Sequence, residues 1–182
     1  MEIIPIYPPF IYSIQYDEEE ENEFDRLFNL WDDVTIVTQF FKSNQSFLRS
    51  DIWQQILEPE DAARQVLDEA DQLEDLFEEM NKNTQEGTLP DFDSHFHYLE
   101  GKFKDVLEWL PMKSYGTMRP SLLRIYAIKM EKNTYLITGG GIKLADTIQN
   151  SPDLKDHIIQ NIDKVRDFLK KNGIYDSNDM NN

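Results

Sequence analysis

The sequence predicts an α+β fold, in which a small antiparallel β-sheet packs against helices on one face. Three observations support this prediction. Residues 122–138 hold two β-type runs joined by a polar turn, and residues 10–16 form a third strand-like run. Amphipathic helical patterns fill most of the remaining chain, and 182 residues suit a single domain.

The N-terminal part predicts one strand followed by helices. Residues 10–16 (FIYSIQY) are rich in aromatic and β-branched residues and alternate in polarity, as a strand does. The acidic run 17–23 (DEEEENE) suits the positive end of a helix dipole. A metal-binding or nucleic-acid-mimicking patch is the alternative interpretation of that run. The β-branched run 34–37 indicates a break between two helices, and residues 42–50 a polar connection.

The central part predicts an acidic helical insert, spanning roughly residues 50–105. Its clearest element is a helix over 60–80, whose apolar residues follow one stripe while the opposite face is almost wholly Asp and Glu. A loop over 81–93 and a shorter helix near 94–104 follow. Strands are predicted at about 107–115, 121–131 and 133–139, with a hairpin turn at Lys132 and Asn133.

The C-terminal part predicts one well-specified helix. Ser151 and Pro152 form a typical helix start, with serine as N-cap and proline at the first helical position. Two lysines in the last turn and Gly173 after it predict the end. The buried stripe comprises Leu154, Ile158, Ile162, Val165 and Leu169. We assign residues 1–176 to one domain and predict a disordered tail at 177–182.

Charge is distributed unevenly along the chain. The formal net charge is −17, yet residues 101–150 carry eight Lys or Arg against four Asp or Glu. The absence of cysteine excludes disulfides and thiolate chemistry and suits a reducing cytoplasm. No stretch approaches about 18 consecutive apolar residues, and the N-terminus lacks the basic region of a signal peptide. We therefore expect a cytoplasmic protein without membrane association.

The triple glycine at 139–141 raises the question of a phosphate-binding loop. The Walker pattern and the dinucleotide fingerprint both fail, because neither spacing is present before a helix. Two interpretations remain: a bend or bulge where backbones approach closely, and backbone amides that face a phosphate beside Lys143. Arg124 and Tyr126 share one strand face, and Lys143 follows the paired strand. Two cations and a phenol could thus hold a phosphodiester.

His95 and His97 form an H-x-H pair. On a strand both rings would lie on one face and could bind a metal with a nearby carboxylate. The surrounding residues have a helical pattern, which would point the rings apart. We predict neither a metal nor a cofactor for this chain.

Residues 122–172 resemble the C-terminal half of the RelE/ParE/HigB-like toxin superfamily. The shared features are a strand with R-x-Y (Arg124 and Tyr126), a hairpin, and a return strand ending in Gly141-Ile142-Lys143. A final amphipathic helix completes the match, and the opening strand with its helices resembles the start of the family fold.

The resemblance implies a bacterial toxin of a toxin–antitoxin system, possessing metal-independent endoribonuclease activity on messenger RNA at the ribosome. It also implies an antitoxin protein as partner. By position, Arg124 and Lys143 would be the catalytic phosphate-binding cations, and Tyr126 and Lys113 would lie in the same cleft. The alternatives are a non-catalytic acidic interaction protein that keeps the fold, and a metal-independent phosphodiesterase outside this family. The oligomeric state stays open.

Overall fold

The computed structural model describes residues 1–49, 58–88, 90–99 and 108–180. Its strands are β1 (Glu2–Tyr7), β2 (Ile11–Gln15), β3 (His97–Tyr98), β4 (Leu110–Tyr115), β5 (Leu123–Glu131) and β6 (Thr134–Ile142). Its helices in these ranges are α1 (Glu23–Asp32), α2 (Val34–Ser43), α3 (Gln45–Leu48), α4 (Pro59–Glu86), α5 (Phe92–His95), α6 (Ile158–Asn172) and α7 (Ser177–Met180). The α+β prediction is confirmed.

The six strands form one mixed sheet in the order β1-β2-β6-β5-β4-β3. All neighbouring pairs are antiparallel except β2 and β6, which run parallel. The expectation of a purely antiparallel sheet is therefore wrong at that junction. Strand β1 was not predicted, since Pro5 interrupts its pattern. Pro5 is tolerated because β1 is an edge strand whose pairing with β2 becomes irregular after Pro5, and edge strands and bulges are where sheets accept proline.

Helices cover both faces of the sheet, so the prediction that they cover only one face is wrong. Helices α1, α2 and α4 pack together on the first face, over Ile125, Ala127 and Ile137. Helix α6 lies on the second face, where Val165 and Leu169 contact the apolar side chains of β2, β5 and β6. Sequence periodicity reveals that a helix has an apolar stripe but not which side of the sheet it covers.

Polar side chains set the helix boundaries in the first layer. The Asn22 side chain accepts a hydrogen bond from the Asp25 amide and begins α1. Asp33 accepts from the Thr35 and Ile36 amides and begins α2, close to the predicted break. Helix α4 extends the predicted helix to 28 residues and ends at Gly87, whose φ is 70°.

The region of the predicted helix over 94–104 is different in the structure. Helix α5 ends at His95, and His97–Tyr98 form strand β3 beside β4; residues 100–104 of that prediction lie outside the described part. One oxygen of Asp93, on α5, accepts hydrogen bonds from Lys129 (2.8 Å), Tyr135 (2.6 Å) and the Asn133 amide (3.0 Å). This network ties α5 to the β5–β6 hairpin, whose turn is at the predicted position.

Helix α6 begins later than its predicted start at Ser151. The Ser151 hydroxyl accepts from the Leu144 and Ala145 amides, and the Asp153 carboxylate accepts from the Ile142 amide at 2.7 Å. These side chains therefore complete the end of β6 instead of capping a helix. The five predicted stripe residues are all buried, and Gly173 ends the helix with a φ of 66°. Residues 177–180 of the predicted tail form α7.

Candidate functional site

The triple glycine lies where β6 is covered closely on both sides. Thr138 forms a bulge opposite β5, so that Tyr126 pairs with Gly139 and Arg124 with Gly141. A Cβ on Gly140 would lie 2.5 Å from the Arg124 carbonyl oxygen and 2.7 Å from Leu27. The Ile142 amide is already bonded to Asp153. The structure thus agrees with a bulge at a close approach of backbones, which was the first of the two interpretations.

The residues selected from the sequence share one face of the sheet. Lys113 pairs with Tyr126 across β4 and β5, and Tyr115 pairs with Arg124. Arg124 in turn lies opposite Gly141, and the Lys143 amide extends the same ladder by donating to the Leu122 carbonyl at 2.7 Å. Because side chains alternate along a strand, Gly141 and Lys143 share the face of Arg124.

Tyr115 is at the centre of the cationic groups on this face. Its ring centroid lies 4.3 Å from the Arg124 guanidinium carbon, 5.7 Å from the Lys113 ammonium and 5.9 Å from the Arg119 guanidinium carbon. The His97 ring lies 5.7 Å away. Cation–π attraction to the ring offsets part of the repulsion among these charges. The Tyr115 cluster comprises His97, Lys113, Tyr115, Arg119, Arg124 and Lys143.

Arg124 is the most enclosed cation of the Tyr115 cluster, at 9% exposure. One guanidinium nitrogen donates to the Ser121 carbonyl (3.1 Å), the Ser121 hydroxyl (3.0 Å) and the Leu123 carbonyl (2.6 Å). Burial lowers the pKa of Arg124 below its usual value, although Tyr126 and Tyr115 oppose that shift. Its position between Tyr115 and the loop leaves little of it to contact a ligand directly.

Lys113 and Lys143 are more accessible, each being half-buried. Burial lowers the pKa of Lys143, and the charges of Arg124 and Lys113 lower it further. The Lys143 ammonium donates to the Asp146 carbonyl at 2.7 Å. Three cations from β4, β5 and the end of β6 thus influence one another electrostatically. Such an arrangement attracts an anion, because an anion relieves the repulsion between the cations.

Tyr126 is a core residue. It is 1% exposed and packs with Leu99, Leu154, Ile158 and Ile162 beneath α6. Burial raises the pKa of its phenol well above the usual range, with Arg124 opposing the shift. The sequence placed Tyr126 on the correct strand face but could not show that α6 covers it.

Residues 116–122 form the loop that holds Arg119 and Arg124 in place. The Ser121 hydroxyl accepts from the Gly116 amide at 2.9 Å and donates to the Leu123 carbonyl at 3.0 Å. From α4, the buried Glu69 carboxylate accepts from the Leu122 amide at 3.0 Å. Burial raises the pKa of Glu69, opposed by its hydrogen bonds to this loop. The loop is thereby anchored to the opposite layer of the protein.

The two imidazole rings of the H-x-H pair lie in different surroundings. His95 contacts Phe77 and Phe96 in the first-face core, whereas His97 is exposed and lies opposite Lys113 in the β3–β4 register. The described residues include no group of three or more metal-ligating side chains. Sequence reasoning missed Tyr115, Arg119 and His97 as members of the cluster. The run KSYGTMRP at 113–120 contains two of them, but only the strand register shows that they converge.

Comparison with known proteins gives no relative: no family model, curated protein or solved structure matches this chain. Across the described ranges, no helix combines the length and apolar character needed to cross a membrane.

Proposed function

We propose that the chain is a RelE/ParE-like toxin or toxin-derived protein, whose Tyr115 cluster binds the phosphodiester backbone of messenger RNA. The observation that carries this proposal is the convergence of Lys113, Arg124 and Lys143 on one sheet face, with Arg119 of the adjoining loop beside the Tyr115 ring, in a chain with net charge −17. An opening strand with a helical hairpin, the β5–β6 hairpin and a final amphipathic helix also support it.

The chemistry of the cluster suits metal-independent cleavage of RNA. The RNA 2′-hydroxyl supplies the nucleophile, and the negative charge that develops on the phosphorus oxygens needs fixed cations. Lys113 and Lys143 are accessible enough to contact those oxygens, whereas Arg124 acts from beneath Tyr115. An antitoxin would be the natural protein partner, and the ribosome would present the messenger RNA.

Inducible expression in a bacterial host tests the toxin proposal. We expect the wild-type protein to arrest growth and the double variant Lys113→Ala/Lys143→Ala to relieve the arrest. Arg124→Ala is unsuitable as the primary variant, because removal of a buried, hydrogen-bonded guanidinium also destabilises the fold. Lys132→Ala/Lys170→Ala removes the same charge at two exposed positions and serves as the matched control. Harmless wild-type expression with unchanged messenger RNA would refute the catalytic function.

Binding of labelled single-stranded RNA tests the site itself. Each phosphate contact contributes about −0.7 to the slope of log K against log salt concentration. Loss of two contacts in Lys113→Ala/Lys143→Ala should therefore make the slope shallower by about 1.4, while the Lys132→Ala/Lys170→Ala control leaves it unchanged. Equal slopes for all three proteins would contradict RNA binding at the Tyr115 cluster.

A non-catalytic interaction protein is the second candidate function. The inward hydrogen bonds of Arg124 and the burial of Tyr126 favour it, because they give structural roles to two of the four residues expected to act in catalysis. RNA binding without cleavage, or partner capture without growth arrest, would support this candidate.

A further inference from the structure

His97 is the side chain of the Tyr115 cluster that the proposed chemistry has not used. It lies on the edge strand β3, is exposed, and pairs in register with Lys113. Its ring is tilted by 52° to the ring of Tyr115, at a centroid distance of 5.7 Å. Neighbouring strands are about 4.8 Å apart, so the imidazole and the Lys113 ammonium can reach the same phosphodiester.

Cleavage by the 2′-hydroxyl requires a group that accepts its proton. The cations of the cluster are poor acceptors: the Lys143 ammonium donates to the Asp146 carbonyl, and both arginines donate to loop carbonyls. Glu69 is buried beneath the loop and is engaged with the Leu122 amide. Among the cluster members, an imidazole is the group suited to exchanging protons near neutral pH.

We infer that His97 accepts the 2′-hydroxyl proton when the Tyr115 cluster holds an RNA phosphodiester. The inference rests on the proposed function. The 2′ oxygen forms a bond to phosphorus while the bond from phosphorus to the 5′ oxygen breaks, giving a 2′,3′-cyclic phosphate and a 5′-hydroxyl. The leaving 5′ oxygen takes a proton from water, and the proton held on His97 returns to the resulting hydroxide. No other reactant is consumed.

The position of His95 separates its role from that of His97. His95 lies on the other side of the sheet among Phe77 and Phe96, and burial lowers its pKa to about 4. The groups that face His97 on the site side are Lys113 and Tyr115 of β4, with Arg119 and Arg124 around the same ring. The two histidines therefore lie in different surroundings, His95 against the core aromatics and His97 against Tyr115 at the site.

Single-turnover cleavage of a labelled messenger RNA in a reconstituted translation reaction tests His97. We expect His97→Gln to lower the single-turnover cleavage rate constant by about 100-fold, with the half-saturating protein concentration changed less than about twofold, since general base catalysis contributes at least this factor. The acid limb of the pH–rate profile should disappear, and added imidazole should restore part of the activity of His97→Ala. His157→Gln, a histidine substitution at the start of α6, should retain wild-type kinetics.

The outcomes separate the two proposals. If the wild-type protein cleaves and His97→Gln cleaves at the same rate with the same pH profile, only the role of His97 is refuted. If the wild-type protein binds RNA without cleaving it, the catalytic function falls and the role of His97 falls with it. If His97→Gln loses RNA affinity in proportion to rate, His97 is a binding residue and the inference is overturned.

Discussion

His95 makes the stability of this protein depend on pH in a way that one substitution should remove. Its ring packs edge-on against Phe77 at 5.7 Å and against Phe96 at 5.8 Å, and its Nε2 has no hydrogen-bond partner among the described residues. Burial, followed by electrostatic interactions with His97 and Arg119, lowers the pKa of His95 from 6.5 to about 4. The folded protein therefore keeps this imidazole neutral.

The direction of the effect follows from proton binding in the two states. Below pH 6.5 the unfolded chain binds a proton on His95 that the folded protein does not, so stability falls as the pH is lowered. The loss of stability begins near the pKa of His95 in the unfolded chain and stops growing below its pKa in the folded protein. Between pH 7 and pH 5 these two values correspond to a loss of about 2 kcal/mol in the free energy of unfolding.

Urea denaturation of the wild type, His95→Gln and His95→Phe at pH 7 and pH 5 measures this contribution. Each substitution changes the stability at pH 7 in a direction set by how well the new side chain packs. Neither new side chain can titrate. Carboxylates titrate equally in all three proteins, so the difference in pH dependence isolates His95. We expect the fall in the free energy of unfolding between pH 7 and pH 5 to be about 2 kcal/mol smaller in both variants than in the wild type. The control variant His157→Gln should show the wild-type fall. Wild-type pH dependence in both His95 variants would refute a buried neutral imidazole.

Two further predictions concern β6 and the β5–β6 hairpin. Gly140→Ala should cost about 2–3 kcal/mol by overpacking against the Arg124 carbonyl and Leu27, whereas Gly87→Ala, which meets only open space at a φ of 70°, should cost about 1 kcal/mol. A reversed order in urea denaturation would contradict the close approach at Gly140. At Asp93, partial burial is outweighed by hydrogen bonds from Lys129 and Tyr135, which lower the pKa of that carboxyl. Asp93→Asn should therefore be about 1–2 kcal/mol less stable at pH 7, and the difference from wild type should vanish as the pH falls below 3.8.

Local patterns in the sequence predicted the elements whose stability is decided locally. The stripe of α6, the stop at Gly173 and the β5–β6 turn all depend on residues within a few positions of one another. The start of α6 could not be predicted in the same way. Ser151 and Asp153 have the sequence of a helix start, but their side chains bond to amides at the end of β6.

The candidate site depends on long-range register, which a single sequence does not reveal. Arg124 and Lys143 were placed near each other because they lie on the two arms of one hairpin. Tyr115 and His97 come from β4 and β3, so their convergence on Arg124 of β5 depends on how three strands align. Tyr126 shows a second limit of sequence-based prediction. The alternation of side chains along the strand predicts which face of the sheet Tyr126 occupies, but only the packing of α6 shows that Tyr126 is buried.

The net charge of −17 does not by itself oppose anion binding at the Tyr115 cluster. Helix α4, with acids along its outer face, lies on the first face of the sheet, whereas the cluster lies on the second. A helix layer and the sheet separate the two by more than about 10 Å, and a Coulomb interaction weakens with distance. An anion at the cluster therefore interacts mainly with the nearby cations. The acidic face slows long-range approach, which predicts that moderate salt accelerates association even while it weakens the bound complex.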